Sequence, residues 1–237
     1  MPTDKRRTLI SFTAGFALLM GLMVGIGWLI THQLAHDWPF TAEDGVDRTL
    51  AGDRTTLLNR VSGFLSTMAS TPYAIALTAL GAGVARVVFH RWREAFFLAG
   101  AVAVQATVFL VTTLAIDRAR PAVVHLDTSP PTSSFPSGHT AAAMALYGGI
   151  LLLARRRGAG WPVWLLVAIP LTVGGSRLYR GMHHPSDVVA ALLLGALALV
   201  LVHRTVLTGS HVGANAKAGS RSRARTRTGM ARSGSGT

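Results

Sequence analysis

The chain lacks cysteine and has few acidic residues. None of its 237 residues is Cys, which excludes disulfide bonds and thiolate metal sites. Ten Asp and Glu residues stand against twenty-three Lys and Arg residues, and this imbalance gives a formal net charge of +13. Anionic partners are therefore expected, and phospholipid headgroups and nucleic acids are the two classes to distinguish.

Long uncharged runs favour a membrane protein. Residues 8–30 contain no charged side chain, and a bilayer-spanning helix needs about 20 apolar residues. A cleavable signal peptide would have a shorter apolar region and a small-residue cleavage site, so this run is interpreted as a retained first span. Further candidate spans lie at 73–89, 95–116, 139–154, 161–175 and 186–202. The sequence predicts an all-α fold, an integral membrane bundle of six helices.

The basic residues are distributed unequally between the two ends of these spans. If both termini are cytoplasmic, sixteen of the twenty-three Lys and Arg residues lie on the cytoplasmic side and seven on the outer side. This follows the positive-inside rule. Contact with anionic lipid then explains most of the net charge, so we predict membrane lipids and no nucleic acid as partners. The expected location is the cytoplasmic membrane, crossed several times.

The chain divides into three parts. Residues 1–7 are expected to form a cytoplasmic N-terminus, and residues 8–205 the six-span core. Residues 206–237 are rich in Gly, Ser, Arg and Thr, a composition that predicts a disordered tail. Within the core, apolar residues recur at helical spacing at about 50–70. This pattern predicts an amphipathic helix on the outer membrane surface, and a packed outer helix explains it equally well.

Polar residues gather at the outer ends of the predicted spans. They lie in three segments: IDRARP (116–121), FPSGHT (135–140) and SRLYRGMHHPSD (176–187). Charged and histidine side chains at membrane depth are costly, so their presence indicates function. We therefore expect the three segments to build one site on the outer face.

Four residues in these segments are suited to bind phosphate. Arg120 and Arg177 carry guanidinium groups that match phosphate oxygens in two-pronged contacts. Ser137 and the backbone N–H of Gly138 lie where a helix begins, and the helix dipole favours an anion there. The sequence thus predicts a phosphate-binding site that includes all four.

Three more residues supply proton-transfer and nucleophilic groups. His139 and His183 provide two imidazoles, whose ordinary pKa near neutrality suits a nucleophile and a general acid. Asp187 follows His183 by four residues, so the two share a face if a helix begins there. A carboxylate bonded to one ring nitrogen leaves the other free to attack. The chemistry indicated is phosphoryl transfer.

These motifs resemble the signature of the type-2 phosphatidic acid phosphatase superfamily of membrane lipid phosphatases. That signature has three parts: Lys-x6-Arg-Pro, Pro-Ser-Gly-His and Ser-Arg-x5-His-x3-Asp. The second matches in full at residues 136–139. The third matches in full at Ser176, Arg177, His183 and Asp187. The resemblance covers roughly residues 8–205, and two intact motifs in the right order make it specific.

The resemblance implies a mechanism and a set of roles. His183 is expected to attack phosphorus and form a phosphohistidine, while Asp187 holds its other ring nitrogen. His139 is expected to protonate the leaving oxygen and then to activate water. The phosphate would be bound by Arg120, Ser137, Gly138 and Arg177. No metal and no cofactor is implied, since arginines stabilise the charge.

The first motif departs from the family pattern. Arg120 and Pro121 are present, but Thr113 stands where the family has lysine. Loss of one charge-assisted contact, of about 1.5–3 kcal/mol, is expected to slow the reaction by about tenfold to a hundredfold. Arg118, two residues before Arg120, is a candidate to replace that contact.

The expected activity is hydrolysis of a lipid phosphate at the outer face. By analogy with compact bacterial members of the family, we expect an isoprenoid diphosphate, undecaprenyl diphosphate, with phosphatidic acid or phosphatidylglycerol phosphate as the alternatives. Thr113 also motivates a hypothesis of another class, a non-catalytic lipid-phosphate binding or transport protein. A vanadate-dependent oxidant is disfavoured, because the relatives of that kind are soluble and this chain has six predicted spans.

Overall fold

The computed structural model describes residues 2–128 and 132–208, and within these residues the chain is helical and contains no strand. The helices are α1 (Pro2–Trp28), α2 (Phe40–Gly52), α3 (Thr56–Met68), α4 (Thr71–Phe89), α5 (Trp92–Ala115), α6 (Gly138–Arg156), α7 (Ala168–Tyr179) and α8 (Pro185–Val202). Short π-helical turns at Leu29–Gln33 and His203–Thr208 follow α1 and α8, and a 3₁₀ turn at Trp161–Val167 leads into α7. The prediction of an all-α chain is confirmed for these residues.

Five helical segments of the described chain are long and apolar enough to cross a bilayer. They are Lys5–Gln33, Thr71–Phe89, Trp92–Ala115, Trp161–Tyr179 and Pro185–Thr208. The predicted span at 139–154 falls in α6, which is not among them, because α6 has 19 residues with His139 at its start and arginines at its end. A multi-pass membrane protein is confirmed, whereas the count of six spans and the cytoplasmic position of both termini stay predictions.

The core lies where α5, α6 and α8 pack together. Glycines on α6 let these helices approach closely, as small residues do in membrane bundles. A Cβ atom added at Gly148 would lie 2.7 Å from a methyl group of Leu199 on α8, and one at Gly149 would lie 2.6 Å from a methyl group of Leu98 on α5. The central position of α6 fixes where its first residues stand relative to its neighbours.

Helix α3 turns its polar side toward the protein. Ser62 and Ser66 are buried, whereas Leu57 and Phe64 are 70% and 63% exposed. The helix packs against α7 and leaves an apolar face outward. An apolar outward face fits the amphipathic helix expected at about 50–70, and its contact with a membrane surface stays a prediction.

The expected tail is described only at its beginning. Residues 206–208 belong to the turn that follows α8. The remainder of the predicted tail, residues 209–237, lies outside the described residues.

The predicted motifs come together at one end of the bundle. The loop after α5, the first turn of α6, the last turn of α7 and the residues that lead into α8 all meet there. At the opposite end, Glu94 in the first turn of α5 lies 3.2 Å from Arg91 and 3.8 Å from Arg156, in the last turn of α6. The bundle thus has a polar site at one end and basic residues at the other.

Candidate active site

Residues from all three sequence motifs line one cavity of about 630 Å³. The predicted residues that line it are Arg120, Gly138, His139, Arg177 and His183. They come from segments up to 63 residues apart in sequence, so the tertiary packing brings them together. Arg118, Ser137 and Asp187 are not among its lining residues.

His183 is held by a backbone carbonyl. Its Nδ1 lies 2.7 Å from the carbonyl oxygen of Ser134, whereas the nearest carboxylate oxygen of Asp187 is 3.9 Å away. A carbonyl oxygen only accepts hydrogen bonds, so Nδ1 carries the proton and Nε2 of the neutral ring keeps a free lone pair. The prediction of a direct bond between Asp187 and His183 is therefore wrong, because the Ser134 carbonyl oxygen bonds to Nδ1 of His183 instead.

The environment of His183 favours the neutral ring. Burial, together with the positive charges of Arg177 and Arg120, holds the pKa of His183 well below its ordinary value. A neutral imidazole with Nδ1 protonated is the form that can act as a nucleophile through Nε2.

Asp187 is fully buried at the start of α8 and accepts several hydrogen bonds. Its Oδ2 accepts from the Ser134 hydroxyl and from the backbone N–H of His184, the latter at 2.8 Å. Its Oδ1 accepts from the guanidinium group of Arg118. Because Ser134 binds both Asp187 and His183, the carboxylate positions the histidine through this one residue.

Arg118 does not replace the family's lysine. One of its terminal nitrogens bonds to Asp187 and to the Ser186 hydroxyl at 2.7 Å, and the other lies 2.7 Å from a carboxylate oxygen of Glu43. This ion-paired network turns the guanidinium group away from the cavity. Thr113 is also engaged elsewhere, since its hydroxyl donates to the carbonyl of Phe135 at 3.3 Å. The contact of Arg118 with phosphate, expected from its position in the sequence, is thus contradicted by its partners.

Ser137 and Gly138 differ in how they meet the cavity. The Ser137 side chain is fully buried, and its hydroxyl lies 3.0 Å from the hydroxyl of Thr140 rather than at the cavity. Gly138 lines the cavity and packs against Phe109, because an added Cβ would lie 2.8 Å from that ring. A side chain at this position would occupy space that the ring already fills.

Two arginines and a loop aspartate form a second network at the cavity wall. Asp127 accepts from Arg177, from Arg180 at 2.6 Å and from the Ser66 hydroxyl at 3.0 Å. Burial raises the pKa of Asp127, but the hydrogen bond from Arg180 and the charge of Arg177 outweigh it and lower that pKa to about 2. Asp127 is thus ionised at neutral pH and fixes the direction of Arg177.

The guanidinium groups at the cavity have N–H donors without hydrogen-bond partners. The Nε atoms of Arg120 and Arg177, which both line the cavity, are buried and have no hydrogen-bond partner among the described residues. Buried donors without partners are costly. A bound anion is one ligand that would satisfy such donors, and the positive charge of the groups favours it.

Sequence reasoning missed the acidic residues of α2. Glu43 and Asp47 are buried, and they contact the segment that carries the third motif. Glu43 accepts from the backbone N–H of Ser186 at 2.7 Å, and Asp47 lies 2.8 Å from Nδ1 of His184. The available signal was their four-residue spacing, which places both on one helical face. Nothing in the sequence identified the partners across the fold.

Comparison with known proteins finds a matching family and similar sequences. The family model described as the PAP2 superfamily matches residues 94–209, a range that contains all the cavity residues predicted from the sequence. Undecaprenyl-diphosphatase BcrC of Bacillus subtilis (strain 168) is 40% identical over 72 residues, which are 30% of this chain and 35% of that protein. Decaprenylphosphoryl-5-phosphoribose phosphatase of Mycobacterium tuberculosis (strain ATCC 25618 / H37Rv) is 36% identical over 108 residues, 44% of this chain and 56% of that protein. The chain therefore spans about a third to just over half the length of these relatives.

A solved structure shows the same fold. The crystal structure of the first transmembrane PAP2 type phosphatidylglycerolphosphate phosphatase from Bacillus subtilis superposes with a TM-score of 0.64 at 20% sequence identity. The match covers 81% of this chain and 92% of that one. At this identity the likeness shows the fold, and function has to be argued from the site.

Proposed function

The chain belongs to the PAP2 superfamily, and on that premise we propose that it is a membrane lipid phosphatase that hydrolyses an isoprenoid diphosphate at the outer face of the cytoplasmic membrane. The observation that carries this proposal is that His139, His183, Arg120 and Arg177 line one cavity. Two imidazoles and two guanidinium groups around one space supply the nucleophile, the acid and the charge stabilisation that phosphoryl transfer needs.

In the first step His183 is the nucleophile. Its Nε2 attacks the terminal phosphorus, a P–N bond forms, and the bond between phosphorus and the leaving oxygen breaks. His139 gives its proton to that oxygen. For undecaprenyl diphosphate the leaving group is undecaprenyl monophosphate. The Ser134 carbonyl keeps Nδ1 protonated, so the attacking lone pair stays on Nε2.

In the second step water removes the phosphoryl group. His139, now neutral, accepts a proton from water as the water oxygen attacks phosphorus. The P–N bond breaks, inorganic phosphate is released, and His183 returns to its neutral form. His139 ends protonated and ready for the next cycle, so protons and bonds balance over the two steps.

Charge on the transferred group is stabilised by fixed donors. Arg120 and Arg177 face the phosphate oxygens, and the N–H of Gly138 belongs to the first turn of α6, where N–H groups lack acceptors within the helix. Asp127 holds Arg177 in place. Such preorganised donors act most strongly on the charge that develops in the transition state. Asp187 serves as a positioning residue behind Ser134.

The cavity walls support a lipid substrate. Beside its polar end the cavity is lined by Ile75, Val102 and Phe109, which suit an apolar tail. The two relatives described above carry names of phosphatases that act on polyprenyl lipids. An isoprenoid diphosphate is therefore the preferred substrate, and phosphatidic acid and phosphatidylglycerol phosphate are the competitors.

The proposed topology makes α6 the sixth span. Its 19 residues correspond to about 28 Å of helix, close to the thickness of a bilayer core of about 30 Å. It begins at the cavity and ends at Arg155 and Arg156, beside the basic loop between α4 and α5. Positive charge opposite the cavity supports a cytoplasmic position for that end and an outer position for the site.

The test is phosphate release by full-length protein purified in detergent, with EDTA present. Undecaprenyl diphosphate, phosphatidic acid and phosphatidylglycerol phosphate are compared in parallel. We expect turnover with the isoprenoid diphosphate and loss of turnover in His183→Ala. Turnover should be retained in His36→Ala, which changes an exposed histidine outside the three motifs.

Two results would overturn the proposal in different ways. Preference for phosphatidic acid or phosphatidylglycerol phosphate would keep the phosphatase and change the substrate. Binding of the lipids without phosphate release would replace the enzyme with a lipid-phosphate binding protein. A phosphohistidine trapped in His139→Ala, which lacks the base for the second step, would directly support the intermediate.

A further inference from the structure

A second cluster of ionisable groups lies beside the cavity, between α2 and the start of α8. Asp44 and Asp47 stand three residues apart on α2, and His184 is the last residue before α8. One ligand atom from each lies within 4.8 Å of the others. None of the three lines the cavity of the proposed active site, so the cluster is separate from the groups that would contact phosphate.

Asp47 is the residue that points to a ligand. It is only 2% exposed, and its Oδ1 is buried with no hydrogen-bond partner among the described residues. Its other oxygen lies 2.8 Å from Nδ1 of His184, which is another member of the cluster. A buried carboxylate oxygen without a partner is costly. A bound cation would offset that cost.

From these contacts we propose that Asp44, Asp47 and His184 bind a divalent transition-metal ion, for which Zn²⁺ is the probe. One imidazole nitrogen and two carboxylate oxygens form a ligand set that Zn²⁺ accepts in proteins. Three protein ligands leave one position of a tetrahedral site for water. Asp44 is exposed, so the ion reaches the site from solvent.

The ion would tie α2 to the segment that carries the proposed nucleophile. His184 directly follows His183, and Glu43 on the same helix already accepts from the N–H of Ser186. Metal binding would therefore reinforce the hydrogen bonds that already join α2 to this segment. The ion would stabilise the assembled site, and it would take part in no step of the hydrolysis.

The experiment measures Zn²⁺ binding without substrate, so its outcome is independent of whether the protein hydrolyses any lipid. Full-length protein in detergent is stripped with EDTA, dialysed, and titrated with Zn²⁺ by calorimetry; the thermal unfolding midpoint is followed in parallel. Asp44→Asn is the test variant because Asp44 is exposed, and substitutions of exposed residues usually change stability little. Asp53→Asn, at the exposed end of the same helix, is the matched control.

We expect wild type and Asp53→Asn to bind one Zn²⁺ at this site and to gain thermal stability from it. Asp44→Asn should bind that ion at least about tenfold more weakly, and His184→Gln should show the same loss. No saturable binding, or equal binding in wild type and both variants, overturns the proposal. Binding that disappears in His183→Ala but persists in Asp44→Asn overturns it too, because the ion would then lie in the cavity.

Discussion

Nδ1 of His183 lies 2.7 Å from the carbonyl oxygen of Ser134, and the hydroxyl of the same serine donates to Asp187. Ser134 thus links the histidine and the aspartate, which are 3.9 Å apart at their closest atoms. A direct bond between them was the expectation from their spacing. The structure replaces it with a connection through one buried residue of the preceding segment.

This link predicts that Ser134 and Asp187 act together. Ser134→Ala removes the hydroxyl that binds Asp187, and loss of such a hydrogen bond is worth about 1–1.5 kcal/mol, so kcat should fall about tenfold. Combining Ser134→Ala with Asp187→Asn should lower kcat no further than Asp187→Asn alone, because both changes break the same connection. Steady-state phosphate release measures both effects. Reductions that multiply in the double variant would mean that the two residues act independently.

Arg118 is predicted to matter for stability rather than for phosphate binding. Arg118→Ala leaves the carboxylates of Glu43 and Asp187 without their shared cation, and breaking a buried pair costs on the order of 3 kcal/mol or more. Denaturant unfolding in detergent measures this loss. Arg48→Ala is the control, since Arg48 is exposed on α2 and its side chain donates to a backbone carbonyl of its own helix. Unchanged stability with a raised KM would place Arg118 at the phosphate instead.

Asp127 predicts a pH-dependent contribution to stability. Its pKa in the folded protein is about 2, below the ordinary value of 3.8, so its stabilisation is fully present above about pH 4 and is lost as the pH falls through 2. Asp127→Asn should therefore unfold at a lower temperature than wild type at pH 7. The two midpoints should converge between pH 4 and pH 2. A difference that stays constant over this range would show that the charge of Asp127 is not what stabilises the loop.

Gly138 is predicted to be required by packing against Phe109. Gly138→Ala places a methyl group where the ring stands, and overpacking of this kind costs about 1–3 kcal/mol. Adding Phe109→Leu removes the ring and should restore part of the lost stability and phosphate release. Melting curves and initial rates of the two single variants and the double variant test this. A double variant no better than Gly138→Ala would mean that the backbone, rather than the ring, excludes a side chain.

Much of the fold followed from local pattern. Uncharged runs near 20 residues long predict helices, and five of the six predicted spans coincide with helical segments that are long and apolar enough to cross a membrane. Helix α6 is not apolar enough to meet the hydropathy criterion for a span, because its sequence serves two purposes. It carries a polar motif at one end and small residues for close packing along its length, so its mean hydropathy is lower than that of a helix that only faces lipid.

The sequence by itself determined the long apolar helices, the two intact motifs and five of the residues that line the cavity, namely Arg120, Gly138, His139, Arg177 and His183. These features depend on apolar runs and on residue types at short fixed spacing, and both can be read directly from the sequence. Only the tertiary structure decided that the Ser134 carbonyl holds His183, that Arg118 pairs with Glu43 and Asp187, and that Asp127 fixes Arg177. Each of these contacts joins residues that are about 50 or more positions apart in the sequence. A hydrogen bond acts over about 3 Å, so such partners are known only once the helices have packed.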